Sequence, residues 1–226
     1  MTYTGNGSGT FSGGTAVGTF TDMERVVGTD GIDTLDARLD GSGVEALLGA
    51  GDDTAIGGSG ADTLSGAGGA DSLIGGAGDD VLDGGDGSDV LSGGVGNDYI
   101  DAGEDQNIGD NDTLYGGEGD DTLVSTETDS RSNDAFYGED GNDSISSQGG
   151  DDTLDGGAGA DTLSGGSGDD ALDGGDGADV AVYDGDLSDF AVSYDAGTDT
   201  FTLQDLNATD GDEGTDTVTG VETFRF

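Results

Sequence analysis

Residues 57–101 read GGSGADTLS, GAGGADSLI, GGAGDDVLD, GGDGSDVLS and GGVGNDYID, five copies of one nine-residue unit with nothing between them. Each copy carries Gly at positions 1 and 4, Asp at position 6, and an aliphatic residue at position 8: Leu64, Leu73, Leu82, Leu91 or Ile100. A unit this small cannot bury its own apolar residue and must stack on its neighbours, so the repeat decides the fold. Positions 7 to 9 suffice for a short strand, with position 8 facing one way and its neighbours the other. The remaining six residues turn the chain, helped by glycines at positions 1, 2 and 4 that reach positive φ. Two units then make one coil of about 18 residues, and the chain is expected to be all-β, a flattened parallel roll of two facing sheets with position 8 stacked inside.

The pattern extends in both directions. Upstream, GTDGIDTLD at 28–36 has Asp33 and Leu35 in phase, ARLDGSGVEAL at 37–47 lacks the Asp, with Glu45 a poor substitute, and LGAGDDTAI at 48–56 restores it with Asp53. Downstream, AGEDQNIGDNDTLY at 102–115 and STETDSRSNDAFY at 125–137 are stretched units flanking an intact GGEGDDTLV at 116–124. Both end in Asp-x-apolar-x, so their extra residues belong to turns, and alternation puts the two turns on the same edge, side by side. A second regular block covers 138–182, with Ser147 and Gln148 in place of the leading glycines of one unit. From Tyr183 a period of two takes over, Phe190, Val192 and Tyr194 and then Phe201 and Leu203 across DAGT, which reads as a β-hairpin. We therefore expect an N-terminal cap over 1–27, the roll over 28–182, and an antiparallel β flank over 183–226. That flank includes DTVTGVETFRF, and its apolar run into Phe226 leads us to expect a piece of a larger chain.

Composition limits what such a chain can do. Its 226 residues include 50 Gly and 51 acids against four cations (Arg25, Arg38, Arg131 and Arg225), a formal charge of -47. This charge excludes nucleic acid and anionic membranes as partners and points to cations. High charge with low hydrophobicity ordinarily means disorder, unless a ligand neutralises the carboxylates. With no Cys and no His, the chain has no disulfide, no thiolate or imidazole metal ligand, and no usual general base. The opening MTYTGNGSGT lacks the basic and apolar regions of a signal peptide, and no stretch is long enough to span a membrane.

The candidate site residues are the position-6 carboxylates: Asp33, Asp53, Asp62, Asp71, Asp80, Asp89, Asp98, Asp112, Asp121, Asp134, Asp143, Asp152, Asp161, Asp170 and Asp179. Each lies beside Gly-rich backbone whose carbonyls are unobstructed. Carboxylate and carbonyl oxygens without His or Cys make a hard-oxygen site that favours Ca2+ over Mg2+. Turn preference alone does not keep Asp at one phase in unit after unit. One inward aliphatic residue per nine cannot offset the ordering of so Gly-rich a chain, so something must bind the turns. Adjacent acids such as Asp79 with Asp80 or Asp169 with Asp170 imply no concave pocket, and the Gly-rich runs lack the Lys and Ser/Thr of a phosphate loop, so no catalytic residue is expected. Tyr115 and Tyr137, at position 9, are read as outward-facing surface, and Arg131 as a local charge partner in a stretched turn.

These GGxGxDxUx units resemble the RTX, or haemolysin-type, calcium-binding repeats of bacterial type I secreted proteins, over about residues 28–182. The flanks TDMERVVGTDGIDTLD and GTDTVTGVETFRF are similar to segments that border such repeats. The resemblance implies a right-handed parallel β-roll with Ca2+ between successive turns on one side. The ligands it implies are position-6 Asp of both turns, the carbonyls of positions 2 and 4 in one, and those of 1 and 3 in the other. Carried over, Gly58 and Gly60 with Asp62 pair with Gly75 and Ala77 with Asp80, and Gly76 and Gly78 pair with Gly93 and Val95. Gly85 and Gly87 lie likewise beside Asp89, and Gly157 and Gly159 pair with Gly174 and Asp176. About ten ions follow if this geometry holds throughout. The stretched turns either interrupt the ions, supply further ligands from Glu104, Asp105, Asp110, Glu127 or Asp129, form a partner site, or are plain surface insertions. The implied location is extracellular or at the bacterial cell surface, with the type I secretion machinery as a partner during export. The implied role is folding and export of a larger secreted protein. An alternative is a spacer or adhesion module with a cell-surface or self-association partner.

Overall fold

The computed structural model of the protein describes residues 8–13, 16–21, 25–39, 41–103, 109–126, 132–207 and 214–226. Two sheets face each other. The first runs, in spatial order, through Arg25–Val27, Glu45–Ala50, Thr63–Gly68, Val81–Asp86, Tyr99–Asp101, Thr122–Val124, Ser144–Ser146, Thr162–Ser164, Val180–Val182 and Thr223–Arg225, all parallel. The second holds the strands that alternate with these, from Asp33–Asp36 through Thr54–Gly58, Ser72–Ala77, Val90–Val95, Thr113–Glu118, Ala135–Asp140, Thr153–Asp155 and Ala171–Asp173 to Thr215–Thr219. Because consecutive units alternate between sheets, each strand pairs with one two units away, as in Leu64 with Leu82 and Leu73 with Leu91. This is the parallel β-roll. Position 8 fills it with one side chain per strand: Leu35, Leu64, Leu73, Leu82, Leu91, Ile100, Leu114, Leu123 and Phe136 are fully buried.

Several strands of the roll, such as Thr63–Gly68, Ser72–Ala77, Val81–Asp86 and Val90–Val95, are longer than three residues. In the coils before Ser144 pairing in most strands continues past position 9 into the next unit, as in Gly94 with Gly76 and Val95 with Ala77, while Tyr99–Asp101 and Thr122–Val124 stop at position 9. The bend falls instead at positions 2 and 4, where Gly76 has φ 119 and Gly78 φ 123. Position 1 differs from the expectation, since Gly75 is not among the residues with positive φ. It is glycine for want of space, because a Cβ there would overlap the Asp80 carboxylate. From Ser144 to Val182 the roll strands are three residues long, and pairing in the turns is reduced to Asp140 with Ala158, Ala158 with Asp176, Gly159 with Gly177 and Gly149 with Ser167.

Both stretched turns lead from the first sheet to the second and therefore share one edge. Register survives them: Leu91 pairs with Leu114, and Leu114 with Phe136. Glu104, Asp105, Glu127, Asp129 and Arg131 lie outside the described residues. Beside these turns the rings of Tyr115 and Tyr137 stack, with centroids 5.1 Å apart and planes 12° from parallel.

At the front, Ser8–Gly13 pairs antiparallel with both Ala16–Thr21 and Asp33–Asp36, which covers one end of the second sheet. At the back, Phe190–Asp195 and Thr200–Asp205 form the hairpin that their alternation predicts. The last segment departs from the expected antiparallel flank. Thr215–Thr219 is antiparallel to Thr200–Asp205 but parallel to Ala171–Asp173, and Thr223–Arg225 is parallel to Val180–Val182. The chain thus resumes the roll after the hairpin, because Asp216-Thr-Val218-Thr and Glu222-Thr-Phe224-Arg repeat the acid-x-apolar-x order of the units. Val218 is fully buried, and Tyr183, Phe190, Phe201, Phe224 and Phe226 close the end in stacked, tilted and edge-to-face contacts 5.1–5.7 Å between centroids.

Candidate metal centres

The fifteen position-6 aspartates are all buried, none more than 3% exposed. They form two columns, one on each edge of the roll. Asp33, Asp53, Asp71, Asp89, Asp112, Asp134, Asp152 and Asp170 line the edge with the stretched turns, and Asp62, Asp80, Asp98, Asp121, Asp143, Asp161 and Asp179 line the other. Within a column the backbone N–H of each Asp donates to Oδ1 of the Asp one coil later: Asp33 to Asp53 at 2.6 Å, Asp62 to Asp80 at 2.7 Å and Asp143 to Asp161 at 2.8 Å. The bond persists where a stretched turn intervenes, from Asp89 to Asp112 at 2.7 Å and from Asp112 to Asp134 at 2.9 Å. One carboxylate oxygen is therefore committed to coil spacing. The second, Oδ2, is buried without a hydrogen-bond partner in Asp53, Asp71, Asp80, Asp98, Asp121, Asp143, Asp161 and Asp179. A desolvated carboxylate oxygen without a partner is costly, and its repetition calls for a cation.

Backbone completes a notch around that oxygen. A Cβ on Gly75 would overlap Asp80 Oδ2 and lie 2.8 Å from the Gly93 carbonyl oxygen. The same test at Gly66 meets Asp71 Oδ2 and the Gly84 carbonyl at 2.7 Å, and at Gly156 meets Asp161 Oδ2 at 2.5 Å and the Gly174 carbonyl at 2.7 Å. Carboxylate and position-1 carbonyl thus converge on one small space from two coils. The carbonyls of Gly58, Gly60, Gly76, Gly78, Gly85, Gly157 and Gly159 instead abut the backbone of the following coil, most of them at its positive-φ glycines. Val95 and Gly157 each accept one backbone N–H, from Gly78 and from Asp176, and keep a second lone pair. Among the described residues no three carboxylates meet in one place, so an ion held here draws on main-chain oxygen as well as on side chains.

Burial raises the affinity of these groups for protons. Desolvation, with like charge from Asp62 and Asp98, pushes Asp80 up to about 7 against the lowering effect of its hydrogen bond from Asp62 N–H. Asp121 is pushed up to about 7, and Asp53, Asp143 and Asp152 to about 6, again chiefly by burial. Arginine does not relieve the columns where it is described: Arg25 pairs with Glu45 at 3.2 Å, and Arg38 with Asp36. The Arg25 pair also removes Glu45 as a stand-in for the missing position-6 Asp. Glu45 occupies position 7 and points outward, while Val44 sits at position 6, buried, with its N–H donated to Asp62 Oδ1 at 2.6 Å.

Two features went unread in the sequence. Asp216 and Glu222 extend the columns, accepting the N–H groups of Asp170 at 2.9 Å and Asp179 at 2.7 Å. The signal was the Asp-Thr-Val-Thr and Glu-Thr-Phe-Arg phase, masked by the intervening hairpin. The second is a ladder at position 5, built by the Asp, Asn or Ser that precedes many position-6 aspartates. Asn97 N–H donates to Asp79 Oδ1 at 2.9 Å, Asp120 N–H to Asn97 Oδ1 at 2.8 Å and Asn142 N–H to Asp120 Oδ1 at 2.8 Å. It runs opposite to the position-6 ladder, with the later coil donating, so adjacent acids such as Asp79 and Asp80 serve two antidirectional ladders.

A family model described as RTX calcium-binding nonapeptide repeat matches residues 48–82, 74–108, 109–126, 128–154 and 146–181. No curated protein matches the chain. Among solved structures, the extracellular lipase LipA from Serratia marcescens is similar at 21% identity and a TM-score of 0.24. That likeness covers 80% of this chain, which spans 40% of the lipase.

Proposed function

The chain belongs to the RTX calcium-binding nonapeptide repeat family, and from that premise we propose that its position-6 columns are shared half-sites for Ca2+ on which folding depends. The observation that carries this is the recurrence of a buried, partnerless Oδ2 facing a position-1 carbonyl of the next coil. Bound Ca2+ supplies the positive charge and open coordination positions that these oxygens lack. The protein's own part is positional: Oδ1 fixes the spacing of coils, Oδ2 faces the notch, and position-1 glycine keeps the notch open. Fifteen repeat carboxylates, each shared with its neighbours, support about ten ions. Without Ca2+, mutual repulsion of the columns disfavours stacking, so the chain is extended where Ca2+ is scarce and folds where it is plentiful. That coupling suits a module that leaves a bacterial cell unfolded through type I secretion and folds outside, as part of a larger protein whose activity lies elsewhere.

Circular dichroism with and without EGTA tests this directly. Strand signal should appear with Ca2+ and vanish on chelation, and a strand-rich spectrum that persists in EGTA overturns the reading. A second reading, as a spacer or adhesion module, draws on the stacked Tyr115 and Tyr137 beside the paired stretched turns. Binding of the Ca2+-loaded chain to cells or glycans, lost in Tyr137→Ala, supports it; inertness towards both removes it.

A further inference from the structure

We propose one more Ca2+ site, outside the repeats, formed by Asp179, Glu222 and the Gly220 carbonyl, which fastens the C-terminal segment to the roll. It rests on the calcium reading above. Asp179 is the last repeat carboxylate on its edge; it is fully buried, and its Oδ2 has no hydrogen-bond partner. Its N–H donates to Glu222 Oε2 at 2.7 Å, the bond that every earlier member of the column makes to the Asp one coil later. Gly220 stands at position 1 of this final turn. A Cβ on Gly174 would overlap the Gly220 carbonyl oxygen and lie 2.9 Å from Asp179 Oδ2, the same pairing of carbonyl and carboxylate that Gly75 shows with Gly93 and Asp80. The register is that of the repeats, with Val180 beside Thr223, Ala181 beside Phe224, and Thr223 N–H donating to the Asp179 carbonyl at 3.1 Å.

The difference from a repeat turn explains the residue type. Between Thr219 at position 9 and Thr223 at position 7 only residues 220–222 remain, where a nine-residue unit has six residues, as in 174–179 between Asp173 and Val180. Glu, one methylene longer than Asp, brings its carboxylate to the Asp179 N–H from this shorter turn. Because Glu222 is exposed, this notch is more open than those of the repeats, and it should fill last. It closes a loop of 43 residues that contains the hairpin, so filling it decides whether the tail stays on the roll.

The test compares the full chain with Glu222→Gln, counting bound Ca2+ by native mass spectrometry and following amide hydrogen exchange across a Ca2+ titration. Gln keeps an oxygen to accept the Asp179 N–H, so a role in hydrogen bonding alone predicts no change. A metal role predicts one ion fewer, and protection of 215–225 that needs about tenfold more Ca2+ while 63–101 is unaffected, since affinity at oxygen sites follows ligand charge. An unchanged ion count overturns the terminal site, even if the tail loosens, because loosening alone marks a packing role. If Ca2+ protects 63–101 but leaves 215–225 indifferent, only the terminal site fails. If it protects neither in the unaltered chain, the calcium reading as a whole fails with it.

Discussion

Along the edge that bears Asp62, Asp80, Asp98, Asp121, Asp143, Asp161 and Asp179, each of the units that carry these residues has its nine residues, and only the ends depart, in the longer unit 37–47 and the short turn before Glu222. Along the opposite edge two turns are stretched, and the hairpin from Phe190 to Asp205 is inserted before Asp216. Yet the column bonds are alike on the two: 2.8 Å from Asp80 to Asp98 on the regular edge, 2.7 Å from Asp89 to Asp112 on the other. The comparison separates two jobs that a repeat unit appears to combine. Stacking needs only the position-6 backbone and carboxylate and the strand after it, whereas the length of chain arriving there is free. Inserted chain costs little once the ends of the turn are held in place.

The largest effect should come from breaking a column. Asp80→Ala removes the acceptor for Asp62 N–H and the carboxylate that faces the Gly93 carbonyl, and should destabilise the Ca2+-loaded chain by roughly 2–4 kcal/mol, read as a raised Ca2+ midpoint in circular dichroism. Asp112→Ala on the stretched edge should cost the same if the edges are equivalent; a markedly smaller loss would mean that ions are missing there. Next is Gly75→Ala, whose methyl overlaps the Asp80 carboxylate and should cost about 1–3 kcal/mol; an unchanged Ca2+ titration would show that the notch is not where Ca2+ binds.

A smaller effect concerns pH in EGTA. Asp80 and Asp121 are held at about 7, above the ordinary 3.8, so the folded form binds more protons than the unfolded one between those values. Their contribution is fully present below about pH 4 and lost as pH rises through 7. The metal-free chain should gain strand signal on acidification from pH 8 to 5, and a flat response contradicts the burial of the columns. Least of all should follow from cutting the 102–115 unit to nine residues, a change within about 0.5 kcal/mol. A large loss would show that the stretched turn takes part in stacking.

The repeat makes the roll legible in the sequence itself, because nine-residue phase, position-8 Leu and position-6 Asp depend on local spacing alone. What escaped depended on contacts between coils. Position-1 glycine was assigned to backbone freedom, but Gly75 is needed because Asp80 of its own unit folds against it. Position-5 Asp79 and Asn97 gain a role only because the next coil places an N–H above each. Asp216 and Glu222 carry the repeat's phase, yet only the docking of the hairpin reveals that their strands return to the roll.

The Tyr115 and Tyr137 pair has a consequence of another kind. The chain contains no Trp, so its near-ultraviolet spectrum belongs to tyrosine and phenylalanine. Two phenol rings 5.1 Å apart and 12° from parallel should couple as a chromophore pair. That optical signature exists only when two consecutive coils are in register across a stretched turn. Nature has thus placed a stopwatch at the midpoint of the roll, through which the arrival of the two blocks on one another can be timed without a label.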